Sequence, residues 1–297
     1  MYIFFIIIFY LLYIEINFGI RNYLFNFPVN CYFILDGNFN KAQFIETLNS
    51  YDFDVIDKID NNIIVNYKSN KEILKFKIDN HIKYYRVNII FDHRFFDMQS
   101  IINIINNYLK NNIKKKNIIT YKNFYLNDLL AFNIFYSSLL NNNKTPKYKK
   151  IIIKNDYVEK IKKKINKYVS KIDIIISIIS KIYLNTYNKK VCNIILTKAD
   201  KSKQNDYFGN PVTNHLTQIN QTNLIDIAIQ IRESYKNNKI YLFENIDIYI
   251  TSWFPIENYE NKIKELSYND NRPPINVNFS IILCMINNDY VINLYYY

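Results

Sequence analysis

The first third of the chain alternates short apolar runs with polar breaks, a pattern that predicts strands joined by turns. Asp36-Gly37 interrupts the first run, and the apolar residues after it recur at helical spacing. Strands are predicted at residues 31–35, 62–67, 72–78 and 84–91. The unit therefore begins as strand, turn and helix and continues through further strands.

The last of these strands leads directly into the sequence FDHRFFDMQS, residues 91–100. Beyond it, apolar residues between positions 101 and 109 recur at i, i+3, i+4 and i+7, which is one face of a helix. The pattern therefore places His93 where a strand ends and a helix is about to begin.

The second half of the chain has a helical pattern first and a strand-rich pattern later. Helices are predicted at residues 126–140, 156–168, 172–184 and 224–235, the third with Ser170 as its N-cap. Strands are predicted at residues 191–199, 246–253, 275–286 and 290–297. No internal repeat of fixed period is visible.

These patterns divide the chain into four segments. With 297 residues the chain is long enough for two domains of ordinary size. The predicted segments are an apolar N-terminal stretch, an N-terminal lobe, a connector rich in Lys and Asn at both ends, and a C-terminal lobe, at residues 1–22, 23–110, 111–150 and 151–297.

The apolar stretch at residues 2–14 is short for a membrane span, which needs about 20 residues. Its sequence leaves open whether it is a signal, an anchor or a buried strand. The three cysteines are far apart and odd in number, which predicts neither a disulfide framework nor a zinc site. We expect a reducing, cytoplasmic location, with membrane association through residues 2–14 as an open alternative.

The net charge of +12 is compatible with a polyanionic partner such as nucleic acid, an acidic membrane or a phosphate-bearing molecule. The lysines occur in short runs without a nucleic-acid-binding motif, which favours solvated helix faces and loops. We therefore expect no nucleic-acid partner.

His93 and Asp97 are the residues of this sequence that favour catalysis. An imidazole with a pKa near 6.5 can take a proton from a hydroxyl or amine that attacks a carbonyl. Asp97 lacks a nearby third ligand for a metal but can hold the loop through an ion pair with an arginine. By itself the pair is a weak signal, because a histidine hydrogen-bonded at a strand end is the commoner arrangement.

The surrounding residues resemble a known family. FDHRFFD resembles the HxxxDG motif of the CoA-dependent acyltransferase superfamily, and 200 residues follow Asp97, which suits its two-lobed branches. The segments VSKIDIIISIISKIYL, DYFGNPV and ITSW are similar, in this order, to stretches of the plant and fungal BAHD acyltransferases. The resemblance runs from about Tyr23 to the C-terminus.

The resemblance implies an α/β fold of two similar lobes, each a mixed β-sheet flanked by helices as in chloramphenicol acetyltransferase, with an active-site channel between them. It implies His93 as general base, Asp97 as the residue that holds the loop, and a monomer with acyl-CoA as co-substrate, a small-molecule acceptor and no bound cofactor or metal. It also implies that Met98 and the YFGN stretch line the channel, the latter being Tyr207, Phe208, Gly209 and Asn210.

Two departures from the family leave alternatives open. Met98 replaces the glycine that closes the motif, and the later DFGWG segment has no counterpart. The protein could accordingly be a catalytically impaired binding protein of the same fold. A third alternative is a condensation-type enzyme that uses carrier-protein thioesters.

Overall fold

The structure is a computed structural model of the whole chain. It describes residues 28–51, 53–58, 61–67, 71–92, 96, 98–112, 118–119, 146–199, 208–209, 212–237, 246–253, 262–268 and 277–297. The chain divides into two compact units. The first comprises residues 1–125 and 200–211, and the second comprises residues 126–199 and 212–297.

The described residues of the first unit form an antiparallel sheet and two helices. Five of its strands lie side by side in the order β1-β5-β4-β3-β2, so that β5 is hydrogen-bonded on both sides. A pair of two-residue strands, β6 and β9, is parallel. The elements are β1 (Pro28–Asp36), α1 (Lys41–Asn49), β2 (Asp54–Lys58), β3 (Asn62–Tyr67), β4 (Lys71–Asn80), β5 (Tyr84–Asp92), α2 (Met98–Leu109), β6 (Ile118–Ile119) and β9 (Phe208–Gly209).

The second unit is built on a mixed sheet. Six strands lie in the order β10-β8-β11-β13-β14-β7, with β8, β11 and β13 parallel to one another and the remaining pairs antiparallel. The elements are β7 (Lys147–Ile153), α3 (Asn155–Lys162), α4 (Lys171–Thr186), β8 (Cys192–Ala199), β10 (Val212–Ile219), α5 (Leu224–Asn237), β11 (Ile248–Ser252), β12 (Ile263–Tyr268), β13 (Phe279–Ile286) and β14 (Asp289–Tyr296).

The core of the second unit lies between its helices and one face of this sheet. Isoleucines of α4 pack against inward-facing residues of β8, β11, β13 and β14. The helix begins with a capping box, because the Ser170 hydroxyl accepts from the Asp173 N–H while the Asp173 carboxylate accepts from the Ser170 N–H. The predicted N-cap is thus confirmed.

The predicted fold class is confirmed, since each unit has a sheet flanked by helices. Gly37 ends β1 with φ +93°, a conformation that favours glycine. One prediction of local structure was wrong. The helix predicted at 156–168 ends at Lys162, and a longer helix would have placed the like charges of Lys160 and Lys164 at the destabilising i, i+4 spacing. Part of the segment predicted as a connector forms β7, an edge strand held by β14. The helix predicted at 126–140 lies outside the described residues.

Candidate functional site

Strand β5 ends directly before the candidate catalytic segment in the sequence. Its side chains alternate, with Tyr85, Val87, Ile89 and Phe91 buried in the unit's core. Because both neighbours are hydrogen-bonded to it along its length, its end at Asp92 is fixed by the sheet. His93 is the next residue in the sequence.

The predicted catalytic residues themselves, His93 and Asp97, lie outside the described residues, as do Tyr207 and Asn210. Their roles stay predictions. The structure does describe the residues on either side of them. The Phe96 N–H donates a 3.2 Å hydrogen bond to the Asp92 carbonyl, which links the strand end to the residue before Asp97.

Helix α2 begins at Met98, directly after the candidate segment. Met98 is buried, with an exposed fraction of 6%. The isoleucines at 101, 102, 104 and 105 and Tyr108 are buried as well, which confirms the apolar face predicted from their spacing. A side chain at position 98 therefore occupies interior space beside the candidate loop, where the family motif has glycine.

Aromatic contacts surround Phe96, the described residue directly before Asp97. The buried Phe96 ring meets Phe53 edge to face at 6.0 Å, and Phe53 stacks on Tyr51 at 5.8 Å. The Tyr51 hydroxyl in turn accepts a hydrogen bond from the Asn107 side chain of α2. Burial raises the pKa of Tyr51 to about 12, so this phenol stays neutral and serves as a structural group.

Helix α2 also carries a polar stripe within its apolar surroundings. Gln99 and Asn106 are two turns apart on one side, and Asn103 accepts from the Gln99 amide at 3.2 Å. The side-chain oxygens of Gln99 and Asn106 are buried and have no hydrogen-bond partner among the residues that the structure describes. Such acceptors can receive a donor from a bound hydroxyl or amine. The Ile-rich spacing that predicted the helix gave no sign of this stripe.

The structure places Phe208 and Gly209, the two described residues of the YFGN stretch, in the first unit. Phe208 and Gly209 form β9, in parallel register with Ile118 and Ile119 of β6. In the sequence this segment lies between β8 and β10 of the second unit, yet it belongs to the first. The chain thus leaves the second unit and returns to it.

The second unit has a polar cluster that the sequence analysis missed. Asn214, Thr197 and Thr251 lie in register across β10, β8 and β11, on one face near the carboxyl ends of the two parallel strands. The Thr197 hydroxyl donates to the Asn214 side-chain oxygen at 2.5 Å. Tyr249 makes hydrogen bonds with both threonines, and burial raises its pKa. Tyr249 and Thr251, which alternate with Ile248 and Ile250 in β11, are the signal that could have identified this face.

Trp253 follows this cluster at the end of β11. Its side chain is 4% exposed, and its backbone N–H donates to the Leu283 carbonyl at 2.9 Å. The tryptophan is therefore a buried residue, as we expect for one that serves packing.

The remaining histidines and cysteines of the described chain have structural environments. The His81 ring stacks on Tyr84 at 4.4 Å, and His215 Nε2 lies 3.1 Å from the Ser234 hydroxyl. All three cysteines are buried, which raises the pKa of each thiol, to about 12 for Cys284, and disfavours a thiolate nucleophile. Across the described ranges, no three His, Cys, Asp or Glu side chains group as a metal site. No helix formed by these residues is long and apolar enough to cross a membrane.

Known proteins resemble this chain in structure and not in sequence. No family model and no curated protein matches the sequence. Vinorine synthase is similar with a TM-score of 0.61 and 12% identity, covering 92% of this chain and 87% of its own. TRI101 of F. sporotrichioides, solved with coenzyme A and T-2, has a TM-score of 0.58 at 9% identity and covers 92% of both chains.

The first condensation domain of the CDA synthetase is similar as well, with a TM-score of 0.58 at 6% identity, covering 91% of this chain and 87% of its own. These neighbours have the fold of CoA-dependent acyltransferases. At such low identities the likeness shows the fold alone.

Proposed function

We propose that the protein is an acyltransferase of the BAHD type, which moves an acyl group from acyl-CoA to the hydroxyl or amine of a small acceptor. The observation that carries the proposal is the position of His93 in the sequence, directly after strand β5 and five residues before the start of α2, in a chain that adopts this fold. The coenzyme A bound to TRI101 supports CoA as the carrier of the acyl group.

The proposed reaction is a direct transfer. The neutral imidazole of His93 takes the proton of the acceptor O–H or N–H while that oxygen or nitrogen attacks the thioester carbonyl carbon. The tetrahedral intermediate then collapses, the C–S bond breaks, and the sulfur of CoA takes the proton from the imidazolium. The products are an ester or amide and free CoA thiol.

The test is a thiol-release assay of the purified full-length chain with several acyl-CoA donors and with alcohol and amine acceptors. His93→Ala should lower kcat by about 10² to 10⁴, the usual contribution of a positioned acid–base group, with little change in melting temperature. His81→Ala is the matched control, because that ring stacks on Tyr84 in an exposed turn and should leave kcat unchanged. A kcat of His93→Ala equal to that of the wild type would refute the mechanism.

Met98 supports a second candidate, a binding protein in which the reaction is blocked. The side chain is buried at the position where the family has glycine, and a glycine there would leave space beside the reacting groups. In that case the wild-type protein is inert with every donor and Met98→Gly gains turnover. Activity in the wild type that Met98→Gly leaves unchanged or raises would support the acyltransferase.

The likeness to a condensation domain supports a third candidate, transfer from a thioester on a carrier protein. The same acyl group presented on CoA and on a phosphopantetheinylated carrier protein separates the two. Turnover that occurs only with the carrier-bound donor favours condensation.

A further inference from the structure

The positive charge of the chain is concentrated in one part of the second unit. Residues 147–171 contain ten lysines, no arginine and two acidic residues, Asp156 and Glu159, which is a net charge of +8 out of +12 for the whole chain. The rest of the sequence has 28 Lys and Arg against 24 Asp and Glu. A general drift towards lysine would have enriched the whole chain, so the concentration is a property of this segment.

Ion pairs neutralise only some of these lysines. The pairs are Lys150–Glu265, Lys154–Asp289, Lys167–Glu233 and Lys171–Glu159, at 3.5, 2.6, 3.2 and 2.5 Å. The other six form no ion pair with any described residue: Lys147, Lys149, Lys160, Lys162, Lys163 and Lys164. Of the two acids, Glu159 is already used by Lys171, which lowers its pKa.

Four of these six lysines lie in the last turn of helix α3 or directly after it. Val158 is fully buried, and Ile161 and Ile165, at i+3 and i+7 from it, pack against the core of the unit. Lys160 in the last turn of the helix, and Lys163 and Lys164 in the turn after its end at Lys162, are exposed, and we call these three residues the lysine face. Tyr157, which is 54% exposed, lies one turn before Lys160.

Strand β7 extends the charge on the same side of the sheet. Lys147 and Lys149 are in register with Tyr296 and Leu294 of β14. Those two residues belong to the core beneath the helices, so the β7 lysines point to the side on which α3 packs. The unpaired charges of strand and helix therefore lie on the same side of this sheet.

We propose that the lysine face binds the surface of a membrane that contains anionic phospholipid. Clusters of four to eight basic residues are attracted to such a surface by charge complementarity, and the lysine face with the neighbouring Lys162 supplies four of them within residues 160–164. The ammonium group of lysine is a hydrated point charge that suits a layer of many phosphates. The guanidinium group of arginine is the usual choice for bidentate binding of single phosphates and for nucleic-acid recognition. Exposed tyrosines, Tyr157 and the 73% exposed Tyr168, suit the boundary between water and lipid headgroups. The proposal does not depend on acyl transfer.

The test is co-sedimentation of the full-length protein with vesicles of neutral phosphatidylcholine and with vesicles that also contain phosphatidylserine. We compare the wild type with the triple variant Lys160→Gln, Lys163→Gln, Lys164→Gln. Each lysine near an anionic surface contributes about fivefold in affinity, so the variant should bind about 100-fold more weakly to the anionic vesicles. High salt should weaken wild-type binding in the same way, because it screens exposed charges.

The matched control removes the same charge elsewhere, with Lys77→Gln, Lys83→Gln and Lys190→Gln, all exposed positions. This variant should bind like the wild type, and circular dichroism should show that all three proteins melt together. Equal loss in both triple variants would overturn the proposal, as would equal binding to neutral and anionic vesicles. Tighter, lysine-face-dependent binding to single-stranded RNA than to anionic vesicles would also overturn it.

Discussion

The interiors of the two units are stabilised in different ways. In the first unit, Phe44 lies at the centre of an aromatic cluster, with Phe76 at 4.9 Å and Tyr108 at 5.1 Å, both edge to face. In the second, an isoleucine core includes two buried carboxylates, Asp173 and Asp247, which are 1% and 7% exposed.

Each of these carboxylates is fully engaged by its neighbours. Asp173 pairs with Arg232, whose Nε and Nη2 lie 2.7 and 2.6 Å from Oδ2. Asp247 accepts from the Tyr183 hydroxyl at 2.6 Å, from Lys189 at 2.7 Å and from the Asn193 N–H at 2.9 Å. Ring contacts tolerate small displacements, whereas a buried charge must meet its partner, so we infer that α4, α5 and β11 are fixed in register by charge.

The largest expected effect comes from a third carboxylate in the second core without a partner. Ile175→Asp, at a fully buried position of α4, should lower the free energy of unfolding by more than about 4 kcal/mol or prevent folding. Ile182→Asp on the same helix is the control, because that side chain is 40% exposed and its substitution should cost about 0.5 kcal/mol or less. Urea denaturation of both variants measures the difference. Similar stabilities would show that this core accommodates unpaired charge.

A smaller effect is expected when an existing pair is broken. Arg232→Met leaves Asp173 buried and uncompensated and should cost about 3 to 5 kcal/mol. Lys167→Met removes a cation from the exposed Lys167–Glu233 pair of the same unit and should cost about 1 kcal/mol or less. If the two variants denature at the same urea concentration, buried charge does not distinguish the second unit.

The smallest of the three effects compares one tyrosine from each unit under alkali. Burial raises the pKa of Tyr51 and of Tyr295 to about 12, from an ordinary value of 10. Between pH 10 and 12 the unfolded chain loses these protons while the folded chain keeps them. Stability therefore falls as pH rises, by up to about 2 to 3 kcal/mol for each phenol.

Tyr51→Phe and Tyr295→Phe should each flatten this alkaline fall, measured as the free energy of unfolding at pH 9, 10, 11 and 12. Tyr51→Phe should also lower stability at neutral pH by about 1 kcal/mol, because the Asn107 side chain loses its acceptor. If neither substitution changes how the free energy of unfolding falls with pH, groups other than these two phenols cause the fall.

Local chemistry made much of the fold predictable. The alternation in β5, the Asp36-Gly37 break and the capping residue Ser170 each act within a few residues, and all three were confirmed. Strands β2 and β7 were missed because both lie at sheet edges and carry polar or charged side chains. Their backbone groups are paired by distant strands, which no local pattern records.

The candidate site divides in the same way. The His93–Asp97 motif and the start of α2 could be found from sequence, since a strand-to-helix junction has a local signature. The row of Asn214, Thr197 and Thr251 could not, because its members come from three strands and meet only through their register.

By itself the sequence determined most of the buried strands and helices and the apolar face of each, because side-chain periodicity and capping act over a few residues. Only the tertiary structure decided which strands are neighbours, that Phe208 and Gly209 belong to the first unit, and that Asp173 meets Arg232. Those outcomes depend on hydrogen bonds and buried charges contributed by residues far apart in the chain, and their partners exist only once the sheets have formed.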